Sequence, residues 1–309
     1  SFGSYSTSIT VTSAVPVRTE QDFLAIGTNN TTMAMDYILM NDIDFKGATV
    51  NAFSSYDSRN TQSFTGTFDG NGYSLMNLKL AKSNVVGSGN DISLFGYMNN
   101  ENAVIKNLSV LNVTLDGKGG VISSWANRGT IENCYVEVTV TGTNNVSSQN
   151  DIGAFIWRCQ QPVTIKNCIS VVTVEEGVAT TYVGGVVGMH LGTMQNCQAI
   201  VLSGNALKVF TSEHTSVKGS VEGSAVYTSV DGFYSGVATT AYDDVWVFNN
   251  GYLPHLDKMT KANVPVAITA ENEVYAGSSL EVSATNATLA LKEDIEGVEI
   301  VNGILTVDN

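Results

Sequence analysis

The stretch Ile165-Lys166-Asn167-Cys168-Ile169-Ser170-Val171-Val172-Thr173-Val174 reads as two β-strands that meet at an asparagine. After the corner, Cys168, Ser170, Val172 and Val174 alternate with Ile169, Val171 and Thr173, the two-residue period of a strand with one apolar or small face. Before it, Ile165 is the inward residue two positions ahead of the asparagine, yet the next inward residue, Cys168, follows only one position after it. The alternation slips at Asn167. Asparagine enters the left-handed backbone region more readily than most residues that carry a side chain, so the strand is expected to bend there.

The signature recurs. Leu75-Met76-Asn77-Leu78, Ile105-Lys106-Asn107-Leu108, Ile131-Glu132-Asn133-Cys134 and Met194-Gln195-Asn196-Cys197 join it, with the asparagines separated by 30, 26, 34 and 29 residues. A unit of about 20–50 residues repeated along a chain implies a stack, because no single unit can bury a core alone. Stacking puts five asparagines in one column and Leu78, Leu108, Cys134, Cys168 and Cys197 in the next. Met76, Lys106, Glu132, Lys166 and Gln195 form an outer column with a charge ladder at its centre. The expected fold is all-β, a right-handed parallel β-helix of about seven coils at ~30 residues each, the hand following from the preference of parallel crossovers.

Four segments are expected. Residues 1–36 supply an N-terminal strand and a capping helix: Ser/Thr alternate with Ile and Val up to residue 17, and Thr19-Glu20-Gln21-Asp22 resembles a capping box with Asp in place of Glu. Phe23, Leu24 and Ile26 would form the apolar face that plugs the open end of the stack. The β-helix covers 37–256 and closes in an aromatic-rich segment around Val245-Trp246-Val247-Phe248; 257–262 is a linker. Residues 263–309 carry short strands at Val264-Val266-Ile268, Leu280-Val282, Leu289-Leu291 and Val298-Ile300, as in an immunoglobulin-like β-sandwich. That sandwich is incomplete here, since such a domain needs ~100 residues.

The chain has 309 residues, 43% of them hydrophobic, ample for a packed core. Fifteen Lys+Arg stand against 29 Asp+Glu, a net charge of −14, and no basic run offers replacement counterions for a phosphate backbone. Nucleic acid is therefore not an expected partner. No apolar stretch reaches the ~18–20 residues that span a bilayer, so no membrane insertion is expected within this segment. Beginning at Ser1 without a basic and apolar leader, the chain reads as a processed product or a piece of something longer.

Cysteines 134, 159, 168 and 197 lack the C-x-x-C spacing of a zinc or redox site, and no metal or cofactor is expected. Coils stack about 4.8 Å apart, within disulfide range, so a Cys134–Cys168 bond is within reach. Leucine fills the same slot in the earlier repeats, which favours the cysteines as core filler.

Gly184-Gly185-Val186-Val187-Gly188 followed by Gly192-Thr193-Met194-Gln195-Asn196-Cys197 resembles the GLUG-motif repeat. Phe64-Thr65-Gly66-Thr67-Phe68-Asp69-Gly70-Asn71-Gly72-Tyr73 resembles the segment that precedes such repeats, and Tyr37-Ile38-Leu39-Met40-Asn41-Asp42-Ile43-Asp44-Phe45 their opening strand. The likeness covers roughly residues 19–256, and residues 264–309, with Val298-Glu299-Ile300-Val301-Asn302-Gly303-Ile304-Leu305-Thr306-Val307, resemble a bacterial immunoglobulin-like repeat. Two coils depart from the motif: one keeps only Gly119-Gly120, and another has Ile156-Trp157 in place of the last glycine. The resemblance implies a secreted or surface-displayed bacterial protein, as in adhesins, with a host-cell or surface glycan or protein as partner and further immunoglobulin-like repeats beyond the C-terminus. Such repeats also occur in phage virion proteins, which makes a tail fibre or capsid projection the first rival. The motif is structural and carries no catalytic residue.

Parallel β-helices also host polysaccharide lyases and glycosidases, which work through paired carboxylates or a Ca²⁺ with a basic residue. Asp42 and Asp44 share a strand face but sit in the opening strand, where a solvated face or turn accounts for them. Asp69-Gly70-Asn71-Gly72 lacks the further ligands of a calcium loop and reads as a tight turn. His190, His214 and His255 share no ligand spacing, and no G-x-S-x-G elbow is present, so no enzyme is expected. The strongest binding signal is an aromatic column. Tyr97, Trp125 and Trp157 follow the first strand of successive coils, with Met189-His190 next, and outward rings at about 5 Å spacing would stack on sugar faces. Arg128 and Arg158 would donate hydrogen bonds beside them. The competing reading buries the rings. The function expected is thus a non-catalytic, extracellular adhesion or recognition module that binds glycan.

Overall fold

The computed structural model describes residues 14–54, 62–81, 92–141, 152–203, 207–212, 219–249, 252–258, 279–281, 298–301 and 304–307. The fold is mostly β and β-helix-like, built on two long parallel sheets of 12 and seven strands. Strands of one sheet alternate along the chain with strands of the other. Thus Tyr97–Lys106 lies in the first sheet and Ser109–Asp116 in the second, and Ser123–Glu132 and Tyr135–Val140 repeat the step.

The asparagines do bend the chain. Asn77, Asn107, Asn133, Asn167 and Asn196 have φ between 51° and 56°, the left-handed region. Four of them stack at the junction of the sheets. The amides of Asn107, Asn133 and Asn167 donate to the carbonyls of Glu132, Lys166 and Gln195, each on the next coil, and Asn196 N donates to Glu222 O. Gly223, at φ 58°, closes the column, so the slot accepts glycine as its conformation requires.

Asn77 does not belong to that column. Leu75 pairs with Val110 and Leu78 with Val113, which places Asn77 inside the strand Ser74–Ala81 of the second sheet. Its stacking partner is Asn112 (φ 49°), whose Nδ2 donates to Asn77 Oδ1 at 2.7 Å. The signature encodes the bend, inward residues on both sides of a left-handed asparagine, and not the coil position of that bend. The corner before Asn107 is instead formed at Asp69–Gly70: Gly70 N donates to Lys106 O, and Asp69 Oδ1 accepts from Asn107 Nδ2 at 3.1 Å. Leu78 and Met76 accordingly leave the expected columns. Asp69 heads the charged one, with Lys106 at 3.6 Å, followed by Glu132 and Lys166 at 2.8 Å. Asn71 and Gly72, at φ 52° and 83°, make the expected tight turn, closed by Tyr73 N to Gly70 O at 2.8 Å.

The strand Val15–Val17 runs parallel to Tyr37–Leu39. The helix Glu20–Ala25 has the expected capping box, with Thr19 Oγ1 accepting from Asp22 N and Asp22 Oδ2 from Thr19 N. Phe23 and Ile26 are fully buried, whereas Leu24 is 40% exposed and leaves the apolar face. Phe23 meets the rings of Phe45, Phe53, Phe68 and Phe95 at 5.0–6.0 Å between centroids, filling the first coils. Cys134, Cys168 and Cys197 point into the core as free thiols, each with Sγ within 3.3 Å of a backbone carbonyl two residues back.

The closing segment lies along the outside of the second sheet. A second apolar cluster joins Leu111, Tyr135, Ile169, Val171 and Ile200 of that sheet to Phe233, Trp246, Leu253 and Leu256. The helix Val230–Gly236 and the antiparallel pair Trp246–Val247 with His255–Leu256 carry this cover. It follows the asparagine column back toward earlier coils: Tyr242 OH donates to Asn196 O at 2.8 Å, and Lys258 Nζ reaches Asn71 Oδ1 at 2.6 Å.

Near the C-terminus, Ser279–Glu281, Ile304–Val307 and Val298–Val301 form a three-stranded antiparallel sheet. The strands expected at 264–268 and 289–291 lie outside the described residues, as do residues 1–13 and His214.

Candidate functional site

Across four adjacent strands of the first sheet, Tyr97 pairs with Trp125, Trp125 with Arg158 and Arg158 with Met189. Trp157 falls one residue out of this line, so the aromatic column has two members before a guanidinium takes the third place. Neither Tyr97 nor Trp157 belongs to the central apolar core, yet they are only 6% and 7% exposed; Trp125 is half-buried. The expected open strip of rings is therefore absent.

Neighbouring side chains cover these rings. Arg158 Cζ lies 4.3 Å from the centre of the Trp125 ring, and Lys118 Nζ 3.6 Å from that of Trp157, both within cation–π range. The two indoles meet edge to face at 5.7 Å and 88°. Trp125 Nε1 donates to Asn127 Oδ1 at 2.8 Å, and Asn127 Nδ2 donates to the Tyr97 hydroxyl at 2.7 Å. Trp125 thus keeps a partner for its polar end while its face holds a cation.

Arg128 lies apart from this group, exposed on the same strand and paired across strands with Asn99. Register is irregular here: residues 99–103 lie between Met98 and Val104, where the neighbouring strand has only 127–129 between Ala126 and Thr130. The surplus residues bulge outward. Asn100 Oδ1 accepts from Asn102 N at 2.8 Å, which shapes the tip. Gly129 (φ 117°) permits the base, because a Cβ there would stand 2.8 Å from the Ala103 carbonyl oxygen. Asn99, Asn100, Glu101, Asn102 and Arg128 together line a recess of 420 Å³. Three carboxamides, a carboxylate and a guanidinium can both donate to and accept from a polyhydroxylated ligand. Sequence alone did not single out Asn99–Asn102; their signal is a polar run that interrupts strand alternation between inward Met98 and Ile105.

The other candidates serve the fold. Asp42 Oδ1 accepts from Ser74 N at 2.7 Å. Asp44 Oδ1 accepts from Asn77 Nδ2 and Lys46 N, and these bonds hold its carboxyl below the usual range. His190 is buried with Nε2 3.2 Å from Ser220 O, and His255 Nδ1 is 3.2 Å from Leu253 O. Among the described residues, no three His, Cys, Asp or Glu gather as a metal-binding group, and no helix is long and apolar enough to cross a membrane.

The chain is similar to a protein named halomucin from Haloquadratum walsbyi (strain DSM 16790 / HBSQ001), with 34% identity over 143 residues. The match takes in 44% of this chain and 1% of that protein, so the chain spans a small fraction of this relative's length. No protein-family model and no solved structure matches the chain.

Proposed function

We propose that the chain is a surface-displayed, non-catalytic recognition module that binds glycan at the recess of Asn99–Asn102 and Arg128. The whole would be a GLUG-type right-handed β-helix of about seven coils joined to an immunoglobulin-like repeat, with the stacked coils acting as a rigid mount. The observation that carries the reading is the 420 Å³ recess, built from a bulge that interrupts the regular register and lined by side chains suited to hydroxyl groups. Similarity to a protein named halomucin supports the surface setting. Wild type and Asn100→Ala/Arg128→Ala should be compared on a glycan array. Binding of a glycan by wild type that the double variant loses, with circular dichroism unchanged, is expected; absence of any glycan binding by folded wild type overturns the reading.

A further inference from the structure

The two ends of the stack are finished differently. At the N-terminal end, Phe23 of the capping helix and Ile26 after it are fully buried, and Pro16 in the edge strand Val15–Val17 offers no N–H to an added strand. At the other end the last coil consists of Lys208–Ser212, Ser220–Glu222 and Ala225–Tyr227, which stack on Val183–His190, Thr193–Gln195 and Gln198–Val201. Their outer edges carry no further strand among the described residues. Register makes Phe210, Val221 and Val226 the inward residues of this coil, stacked on Val187, Met194 and Ala199. Those three are fully buried one coil earlier, whereas Phe210 and Val226 are only half-buried and Val221 is 41% exposed. The helix Val230–Gly236 packs on the outside instead, its Phe233 ring 5.5 Å from that of Tyr227, which shares the outward face of Ile200.

Open strand edges around inward apolar residues favour a covering layer, and the charges on the edge fit a second copy of the chain. Val183–His190 and Thr193–Gln195 continue Ile156–Cys159 and Val163–Lys166, both of which pair with the single strand Ser123–Glu132. Lys208–Ser212 and Ser220–Glu222 therefore lie in one line, with exposed Lys208 at its start and exposed Glu222 at its end. The Glu222 carboxylate accepts from Gln195 Nε2 at 3.5 Å. Neither Lys208 nor Glu222 belongs to an ion pair among the described residues, whereas Lys79, Lys106 and Lys166 each pair with a carboxylate. A second copy related by a two-fold axis runs antiparallel to this line, which sets each lysine against the other copy's glutamate. Opposite charges facing across strands are favourable and like charges are not. Growth stops at two, because the remaining end of each copy is the one closed by Phe23 and Pro16. We infer that two copies associate through their last coils about a two-fold axis, Lys208 of one facing Glu222 of the other and Val221 covered between them.

The full chain has a mass of 32.8 kDa, and sedimentation equilibrium from about 1 to about 100 µM should show that mass doubling as concentration rises. Val221→Asp puts a charge into the covered apolar contact and should keep the chain monomeric over the same range, with its circular dichroism unchanged. Lys208→Glu sets like charges against each other at both ends of the paired line and should weaken association about tenfold. The double swap Lys208→Glu/Glu222→Lys should recover it, which only a contact between these two residues of different copies explains. A monomer at every concentration, species that grow beyond two copies, or a dimer indifferent to Val221→Asp overturns the inference. So does a double swap that fails to recover association. Asn100→Ala/Arg128→Ala should dimerise like wild type, so a monomeric chain leaves the glycan reading standing, and a chain that binds no glycan leaves the dimer standing.

Discussion

Asp243 Oδ2 accepts a hydrogen bond from Asn133 Nδ2 at 2.9 Å, although 110 residues separate the two in sequence. The same oxygen accepts from Asn167 Nδ2 at 3.3 Å. Along the corner column, Asn133 donates to Asn107 at 3.4 Å and Asn196 to Asn167 at 3.3 Å. The carboxylate of the closing segment thus bridges the step between Asn133 and Asn167. Asp243→Ala should lower stability by about 1–3 kcal/mol, because two partly buried amides lose a charged acceptor. A shift in the urea midpoint measures this, with exposed Glu176→Ala as a control expected to change stability by about 0.5 kcal/mol or less.

The left-handed backbone of the column gives a second test. Asn167→Gly and Asn167→Ala both remove the side-chain bonds, but only alanine pays for φ 51°. The glycine variant should be more stable than the alanine variant by about 1–2 kcal/mol. Equal stabilities in chemical denaturation would show that the corner relaxes out of the left-handed region.

Two carboxylates should give opposite pH dependence. Glu137 is on the strand Tyr135–Val140, and burial pushes its carboxyl up. The folded state then binds the proton more tightly, so this contribution is fully present below the ordinary glutamate value of about 4.3 and is lost as pH rises through the folded-state value. Asp44, held low by Asn77 and by the Lys46 amide, contributes above the ordinary aspartate value of about 3.9 and loses its effect as pH falls through its folded-state value. Stability measured against pH should flatten on the upper side in Glu137→Gln and on the lower side in Asp44→Asn.

The thiols should be silent in the native protein. All four cysteines are fully buried and free, and burial pushes Cys159 up to about 12. A thiol reagent at about pH 8 should modify none of them before unfolding and all four afterwards, since the thiolate is the reactive form. Rapid labelling of Cys134 or Cys168 in folded protein would contradict the observed column packing.

Much of the fold was legible because its signals are local. Asn167 bends where the alternation of Ile165, Cys168 and Ser170 slips, and Thr19-Glu20-Gln21-Asp22 caps the helix it announced. Each depends on a few adjacent residues and their backbone preferences. The site was read less well. Tyr97, Trp125 and Trp157 were found, but alternation could not tell that Arg158 takes the third place in their line or that Lys118 covers Trp157. A register offset of one residue exchanges an indole for a guanidinium.

The sequence by itself determined the parallel stacking of bent strands, because the two-residue alternation and the left-handed tolerance of asparagine and glycine are properties of each short segment. Only the tertiary structure decided which bends share a column, sending Asn77 to Asn112 rather than to Asn107. It also decided that the closing segment runs back along the second sheet to reach Asn133 and Asn71, and that cations cover the indole faces. Those choices depend on loop lengths between corners and on contacts between residues far apart in the chain, which local pattern does not encode.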